Sequence, residues 1–249
     1  MSVEKTEAVI LALLPYRETS CIVRLFTQTH GLVQGIAKGV RKDSKSPPLD
    51  RGILVDVLVY IKPNRDLHTL GKLQVVDFFS ETRASLTRSA VRDTALELHL
   101  RSITQSGPNP EIYRLLISFL KELGNARSDL VFPLLWHFLH EYSSLAGFRI
   151  QTGRCAGCRS DTEKTGGTLQ IAKGALVCRK CAPGSNPDAF LGPETITFLD
   201  RIETDRKGVA DMKECLRITG LLLSYCRYHL DIKKPFNSLD FMQSMLAVQ

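Results

Sequence analysis

The first third of the chain follows the two-residue alternation that is typical of β-strands. Five apolar or alternating segments, each ended by turn-forming residues, predict strands at 6–14, 21–27, 32–38, 53–61 and 67–79. In the second segment, one face carries Cys21, Val23 and Leu25, and the residues between them face the other way. Because five antiparallel strands within about 75 residues would leave costly open edges, we expect a small closed β-barrel.

From residue 81 the apolar spacing changes to the three- and four-residue steps of helices. This spacing predicts helices at 84–102, 111–123, 134–148, 194–203 and 209–230. The third helix is apolar on most of its circumference and holds the only tryptophan, Trp136, so we expect it in the middle of a bundle. Asp129 precedes this helix and is expected to cap it. No apolar run approaches the 18 residues of a membrane-spanning helix, so no membrane partner is expected.

Two Cys-x-x-Cys pairs lie between the third and fourth predicted helices. Their cysteines are Cys155, Cys158, Cys178 and Cys181. At this separation, two tight turns can present four thiolates to one tetrahedral Zn²⁺. Four protein ligands leave no position for an activated water, so we expect one structural zinc per chain and not a catalytic one. A pair of redox dithiols or disulfides is the alternative, although that motif normally follows a strand and opens a helix, whereas Cys155 follows Thr-Gly-Arg.

The other three cysteines, Cys21, Cys215 and Cys226, fall within apolar patterns. The apolar run at 9–14 is short, follows charged residues and precedes no small-residue cleavage site, so we interpret it as a strand and not as a signal peptide. We therefore expect these cysteines to be reduced core thiols in a cytoplasmic protein.

The chain is basic, with 33 Lys and Arg against 26 Asp and Glu, a net charge of +7. Such a charge favours polyanionic partners but does not prove them. The segment 38–51 holds five basic residues and two acidic ones, which accounts for the whole basic excess of residues 1–80. In a small barrel, cations on the rim loops can follow the phosphates of a single strand, whereas a merely solvated loop is the alternative. The candidate DNA contacts are Lys38, Arg41, Lys42 and Lys45, with Arg65 at another turn.

Catalytic motifs are absent from the sequence. It contains no Gly-x-Ser-x-Gly elbow, no phosphate-binding Gly-x-x-x-x-Gly-Lys loop and no Gly-x-Gly-x-x-Gly fingerprint. His137 and His140 lie one helical turn apart, but without the His-Glu-x-x-His order we interpret them as surface or satisfied histidines and not as metal ligands. His229 is expected to serve a helix C-terminus or a packing role. The sequence therefore predicts a protein that is not an enzyme.

Two groups of residues carry a family resemblance. The N-terminal group is Ala8-Val-Ile-Leu, Tyr16-Arg-Glu18, Ile22-Val-Arg-Leu-Phe-Thr27, His30-Gly31, Ala37-Lys-Gly39-Val-Arg41 and Ser46. The C-terminal group is Tyr225-x-x-x-His229-Leu230 and Pro235-x-x-Ser238-Leu239. Both groups resemble the RecO family of bacterial recombination mediator proteins, and the four cysteines match its zinc-bearing members. The helices of the middle of the chain match only in character.

The resemblance implies an α+β multidomain fold: a five-stranded OB-fold barrel at 1–80, an α-helical domain at 81–152 and 190–249, and an inserted four-cysteine zinc finger at 153–189. It also implies a protein of the bacterial cytoplasm and nucleoid that binds single- and double-stranded DNA and anneals strands coated by single-strand-binding protein. With RecR it would help to load RecA, and the acidic C-terminal tail of single-strand-binding protein is a further expected ligand.

Three questions stay open at this level. Asp43 interrupts the basic cluster, so the sequence does not identify which cation makes the main phosphate contact. Four bases flank the cysteines, and they either lower the thiol pKa values or extend the DNA surface. These bases are Arg154, Arg159, Arg179 and Lys180. Finally, an interaction adaptor with little DNA affinity and a zinc enzyme are alternative functions.

Overall fold

The computed structural model describes residues 2–41, 49–61, 65–102, 107–202, 205 and 207–246. The chain divides into two compact units. Unit 1 comprises Met1–Ala84 and Leu96–Gly124, and unit 2 comprises Ser85–Ala95 and Asn125–Gln249. The domain boundaries predicted from the sequence, 1–80, 81–152 with 190–249, and 153–189, stay a prediction.

Unit 1 contains a closed five-stranded barrel, as expected. Its strands are β1 (Ser2–Tyr16), β2 (Ser20–Thr27), β3 (Gly31–Ala37), β4 (Leu54–Ile61) and β5 (Leu67–Asp77), joined in the order β1-β2-β3-β5-β4. The expectation that all strands are antiparallel is wrong at one pairing, because β3 and β5 run parallel, from Gln34 beside Leu67 to Ala37 beside Leu70. An odd number of strands cannot alternate in direction around a closed ring, so one parallel pair is unavoidable.

Strand β1 is long enough to belong to two sides of the barrel. Its first half, Ser2 to Val9, pairs with β4, and the segment from Ala8 to Tyr16 pairs with β2. The register with β2 shifts between Ile10 and Ala12, which marks a β-bulge. Since a bulge bends a strand and increases its twist, this irregularity lets one strand complete the closed barrel.

The barrel core confirms the predicted alternation of β2. Cys21, Val23 and Leu25 point into the barrel among the buried residues of the other strands. Phe26, on the opposite face, is also fully buried, because its ring lies 5.2 Å from that of His99 and 5.7 Å from that of Tyr113. The outer face of β2 is therefore covered at this point by helical residues of unit 1.

The parallel pairing of β3 with β5 depends on a glycine. A Cβ atom at Gly35 would lie only 2.6 Å from the Cγ and Cδ2 atoms of Leu70. Leu70 is 4% exposed and belongs to the barrel core, so it has little room to retreat. Gly35 thus allows the two strands to approach and close the barrel.

All five predicted helices are present, with boundaries that differ by a few residues. The helices of the structure are α1 (Leu86–Ser102), α2 (Pro110–Asn125), α3 (Val131–Leu145), the single turn α4 (Thr162–Thr165), α5 (Pro193–Asp200), α6 (Met212–His229) and α7 (Asn237–Leu246). The sequence reasoning missed α7, although it repeats apolar residues at a helical spacing. Among the described residues, no helix is both long and apolar enough to cross a membrane.

Helix α3 occupies the interior of unit 2, as its nearly uniform apolar surface predicted. Trp136 is fully buried, and its indole Nε1–H donates to the Thr219 hydroxyl of α6 at 3.0 Å. The expected cap is wrong: a short 3₁₀ turn, Ser128–Leu130, precedes α3, and no side chain caps the helix. The Asp129 carboxylate instead accepts the backbone N–H of Gly208 at 2.8 Å and pairs with Arg127.

Candidate functional site

The four cysteines lie in a small β-rich module within unit 2. Its strands are β6 (Gly167–Gln170), β7 (Ala175–Val177) and β8 (Phe190–Leu191), in the order β7-β6-β8. The first cysteine pair forms a tight turn, in which the backbone N–H of Arg159 donates to the carbonyl of Cys155 at 2.9 Å. In the second turn, the N–H of Ala182 makes the matching bond to the carbonyl of Cys178 at 3.1 Å, and the N–H of Cys181 donates to the same carbonyl at 3.0 Å. Backbone hydrogen bonds therefore shape both turns that carry the thiols.

The sulfur atoms are close enough to share one metal ion. All four lie within 4.8 Å of one another, and the Sγ atoms of Cys158 and Cys178 are 3.6 Å apart. A tetrahedral Zn²⁺ with Zn–S bonds of about 2.3 Å requires sulfur separations of about 3.8 Å, so the cluster fits such an ion. Among the described residues, this is the one cluster of three or more potential ligands that could hold a metal.

Backbone donors lower the pKa of two of the four thiols, whereas hydrogen bonds with the thiols of Cys158 and Cys178 raise the pKa of Cys181 to about 12. The N–H of Cys178 donates to the Sγ of Cys155 at 3.3 Å, and the N–H of Gly157 donates to the same sulfur at 3.4 Å. The hydrogen bond from Cys178, followed by that from Cys158, lowers the pKa of the Cys155 thiol to about 6. The N–H of Cys181 lowers the pKa of Cys178 in the same way. A divalent cation binds thiolates, so these donors favour the form that a metal requires.

Two local details of the first turn explain its sequence. A Cβ atom at Gly157 would lie 3.0 Å from the Sγ of Cys181, so a larger residue would push into the cluster. Arg159 adopts a left-handed backbone conformation, with φ of 65°. Non-glycine residues rarely do so, and the turn holds Arg159 there through its bond to the carbonyl of Cys155. The turn that carries Cys155 and Cys158 therefore includes a backbone conformation at Arg159 that a non-glycine residue disfavours.

The bases that flank the cysteines are not what holds the sulfurs. Arg154, Arg159, Arg179 and Lys180 are all exposed. The hydrogen-bond partners of the sulfurs within the described residues are backbone N–H groups, Ser160 and one another. Arg179 lies instead over the ring of Phe190, at 4.7 Å from its centroid. The largest cause of the lowered pKa is a backbone hydrogen bond for both Cys155 and Cys178. The role of the four bases toward DNA stays a prediction.

The histidines that invited a metal interpretation have ordinary partners. The Nδ1 atoms of His137 and His140 both lie within hydrogen-bond distance of the Leu199 carbonyl, at 2.8 and 2.9 Å. His140 is fully buried, and its Nε2 lies 3.3 Å from the carbonyl of Ile150. His229 stacks on Phe148 and places its Nε2 2.8 Å from the Ile171 carbonyl. These contacts support the structural interpretation of all three histidines.

The remaining thiols are structural, as predicted. Cys21, Cys215 and Cys226 are buried and free. Burial raises the pKa of Cys215 and that of Cys226 to about 12, so both stay protonated near neutral pH. Neither thiol has the thiolate character that metal binding or nucleophilic attack requires.

The basic end of the barrel begins where β3 ends. Lys38 is exposed and, among the described residues, has no ion-pair partner. Arg41 is also exposed and is tied to the turn between β1 and β2: its backbone N–H donates to the Thr19 carbonyl at 3.0 Å, and its guanidinium donates to the Arg17 carbonyl at 3.3 Å. Arg41 therefore braces this turn as well as contributing charge.

The predicted DNA contacts do not all lie together. Lys42 and Lys45 fall outside the described residues. Arg65 is exposed and precedes β5, whose Leu67 lies beside Gln34 in the parallel pairing with β3. Since a strand rises about 3.3 Å per residue, Arg65 and Lys38 are separated by roughly 20 Å along β3. Sequence reasoning also missed Arg17 and Lys72, two exposed cations beside Lys38 that belong to no basic run.

The strand order and the cysteine cluster define a class of protein. A closed five-stranded barrel with the order β1-β2-β3-β5-β4 is an OB fold, and unit 2 joins a helical bundle to a four-cysteine module of the metal-binding type. This is the class of multidomain OB-fold proteins with a four-cysteine module that could hold a metal ion.

Comparisons with known proteins identify the family. A family model described as Recombination protein O N terminal matches residues 1–79, and one described as Recombination protein O C terminal matches residues 83–240. Two relatives named DNA repair protein RecO, from Geobacter metallireducens and Geobacter sulfurreducens, are each 30% identical to this chain. The alignments cover 98% of this chain and 99% of the first relative, and 97% and 98% for the second. A third, from Chlorobium luteolum, is 27% identical over 98% of both chains. The chain therefore belongs to the RecO family, which confirms the resemblance.

Proposed function

We propose that this protein is a DNA repair mediator of the bacterial cytoplasm and nucleoid, without catalytic chemistry of its own. It binds single- and double-stranded DNA, anneals complementary strands coated by single-strand-binding protein and, with RecR, helps to load RecA. The observation that carries the proposal is an OB-fold barrel with exposed Lys38 and Arg41 where β3 ends, in a chain whose relatives are named DNA repair protein RecO.

Annealing would proceed by charge neutralisation. Two single strands repel each other through their phosphates, and cations bound to both strands reduce that repulsion until a few base pairs form. Base pairing then supplies the free energy, so the protein needs no nucleophile, general base or open metal site. Exposed ammonium and guanidinium groups suit this task because binding them to phosphates releases condensed counterions.

The salt dependence of binding tests the basic loop. With roughly four phosphates engaged, log K for single-stranded DNA should fall with log salt at a slope near −3. Reversing Lys38, Arg41, Lys42 and Lys45 to Glu together should flatten the slope and abolish annealing. Binding is measured by fluorescence anisotropy at several salt concentrations, and annealing by the pairing of labelled strands.

A charge-matched control separates the loop from total charge. Reversing Lys121, Lys213, Lys233 and Lys234 takes the net charge from +7 to −1, as the loop reversal does. We expect this control to keep the steep salt slope. Equal loss of binding in both variants, or an unchanged slope in the loop variant, would contradict the assignment of the loop.

We also propose that the four cysteines hold one structural Zn²⁺ per chain. The sulfur separations and the backbone donors support a closed tetrahedral shell, which leaves no coordination position for substrate. Elemental analysis of purified protein should give one zinc per chain. A correctly folded protein without metal would refute the proposal.

Two protein partners belong to the proposal. RecR is expected to bind this chain during RecA loading, and the acidic C-terminal tail of single-strand-binding protein is expected to bind the helical part of the chain. Annealing of strands coated by single-strand-binding protein, with and without RecR, tests both expectations. A rate that does not change when RecR is added would remove RecR from the annealing step.

An interaction adaptor with little DNA affinity is the second candidate. The observation in its favour is exposed aromatic surface on the last two helices, where Tyr228 is 60% and Phe241 is 47% exposed. Such side chains are enriched at protein interfaces. Filter binding of DNA at low and moderate salt separates the candidates, since an adaptor would bind DNA weakly under both conditions.

A further inference from the structure

Lys38, the first residue after β3, borders two grooves of the barrel. One groove, of about 630 Å³, is lined by residues 16–20 of the turn between β1 and β2, with Ile36 and Lys38. The other, of about 480 Å³, is lined by residues 38–40 and 71–75, with Leu49 and Phe78. The two grooves therefore adjoin at Lys38, and together they form one surface across this end of the barrel, which we call the Lys38 track.

The Lys38 track carries more positive than negative charge. Arg17, Lys38 and Lys72 contribute three cations, and Glu18 contributes the one carboxylate among the lining residues. None of the three cations has an ion-pair partner among the described residues. Their charges are free to bind an external anion, and their spread over both grooves suits an extended polyanion better than a single phosphate.

Each groove also holds an aromatic side chain. In the first groove, the guanidinium of Arg17 lies over the ring of Tyr16, 5.3 Å from its centroid. Arg17 sits at the tip of the turn with a left-handed backbone, φ of 55°, which a non-glycine residue rarely adopts. In the second groove, Phe78 is 36% exposed, unlike the buried Phe79 beside it. Flat apolar faces beside unpaired cations are the combination that binds unpaired bases and their phosphates.

We propose that the Lys38 track is the path of a single strand of nucleic acid, with bases stacked on the Tyr16–Arg17 pair and on Phe78, and phosphates on Lys38 and Lys72. The inference rests on the proposed DNA-binding function and adds its base-contacting residues. It also assigns a preference for single strands at this surface, because the bases of a duplex are already stacked on one another and offer no free face.

The test compares stacking variants on two ligands. Tyr16→Ala and Phe78→Ala should each weaken binding of an unstructured oligothymidylate by about tenfold, since base stacking on an aromatic side chain is lost. Their salt slopes should stay as in the wild type, because no charge changes. Binding of a short duplex should not change. Lys72→Gln should instead lower the salt slope for the oligothymidylate by about 0.7, the contribution of one phosphate contact.

Matched controls make each outcome decisive. Phe78→Leu keeps an apolar side chain but lacks a π face, so it should lose affinity as Phe78→Ala does. A loss in Phe78→Leu therefore tests stacking even where Phe78→Ala folds poorly. Phe78→Tyr and Tyr16→Phe should bind normally, and so should Tyr228→Ala, which removes an exposed aromatic residue outside the track. Unchanged affinity in both stacking variants, or equal losses on the duplex, would overturn the track. A wild-type protein that binds neither ligand would instead overturn the proposed function.

Discussion

The barrel and the cysteine module are both small β structures, but they are closed by different means. In the barrel, every strand pairs with two others, so the backbone hydrogen bonds themselves leave no open edge. In the module, strands of four, three and two residues form an open sheet, and four sulfurs converge beside it. Such short strands bury little apolar surface, so a bound metal would supply stability that pairing alone does not.

The largest expected effect separates the two regions directly. Cys178→Ser should abolish zinc binding and unfold the module, because structural zinc contributes about 10–16 kcal/mol of apparent binding free energy in small zinc modules. Elemental analysis and limited proteolysis of residues 153–189 measure the two effects. Cys21→Ala, which removes a buried thiol from the barrel, should retain the zinc. If the module of the Cys178→Ser protein resists protease as the wild type does, the pairing of strands β6, β7 and β8 is enough to keep the module folded without metal.

The second prediction breaks the barrel without touching the cysteines. Gly35→Ala should lower the free energy of unfolding by about 1–2 kcal/mol, since overpacking costs about 1–3 kcal/mol and removing a strand glycine returns about 0.5–1 kcal/mol. Urea unfolding measures the change, and zinc content should stay constant. Gly107→Ala is the control, because a Cβ there would meet nothing within 4 Å. Equal stability of the two variants would mean that Leu70 moves aside freely.

The smallest expected effect concerns Asp129, whose contacts with Arg127 and Gly208 depend neither on strand pairing nor on the cysteine cluster. Arg127, followed by the N–H of Gly208, lowers the pKa of Asp129 to about 2. A lowered pKa in the folded state gives stability that is present above the ordinary carboxyl pKa and is lost as the pH falls toward 2. Asp129→Asn should therefore reduce stability at pH 7 by less than about 1 kcal/mol, because the pair with Arg127 is partly exposed.

The pH dependence provides the control for this prediction. Thermal unfolding at pH 7 should distinguish Asp129→Asn from the wild type, and the difference should shrink steadily between pH 4 and pH 2. A difference that is independent of pH would show that the carboxylate charge is not what holds the segment before α6.

The sequence predicts a region well where a local pattern of residues reports it, and poorly where the region depends on contacts between residues distant in the chain. Alternation identified the five barrel strands because half of each strand faces the core, and the Cys-x-x-Cys spacing identified the cysteine cluster because four thiols at one metal ion would need such a spacing. The sheet of the module was missed, since strands as short as Phe190–Leu191 carry no period. Tyr16, Lys72 and Phe78 were missed as a group because only folding brings a turn and the end of β5 to Lys38. Asp129 was misassigned because its true partner, Gly208, is 79 residues away.

The division of β1 between two partners also bears on how the chain is synthesised. Strands β1, β2 and β3 can pair as soon as they emerge, but β2 pairs with β1 only from Ala8 onward, so Ser2 must wait for Ile61 of β4 before it gains a strand partner. A waiting strand edge invites pairing with another chain, and charged side chains discourage it. That half of β1 carries Glu4, Lys5 and Glu7.

In the finished barrel, each of these three charges has found a partner. Lys5 pairs with Asp56 at 2.9 Å, Glu4 lies 2.5 Å from His30, and Glu7 accepts the Tyr113 hydroxyl at 2.9 Å. The same charges that would discourage pairing of the unfinished edge with another chain thus form ion pairs and a hydrogen bond in the folded unit.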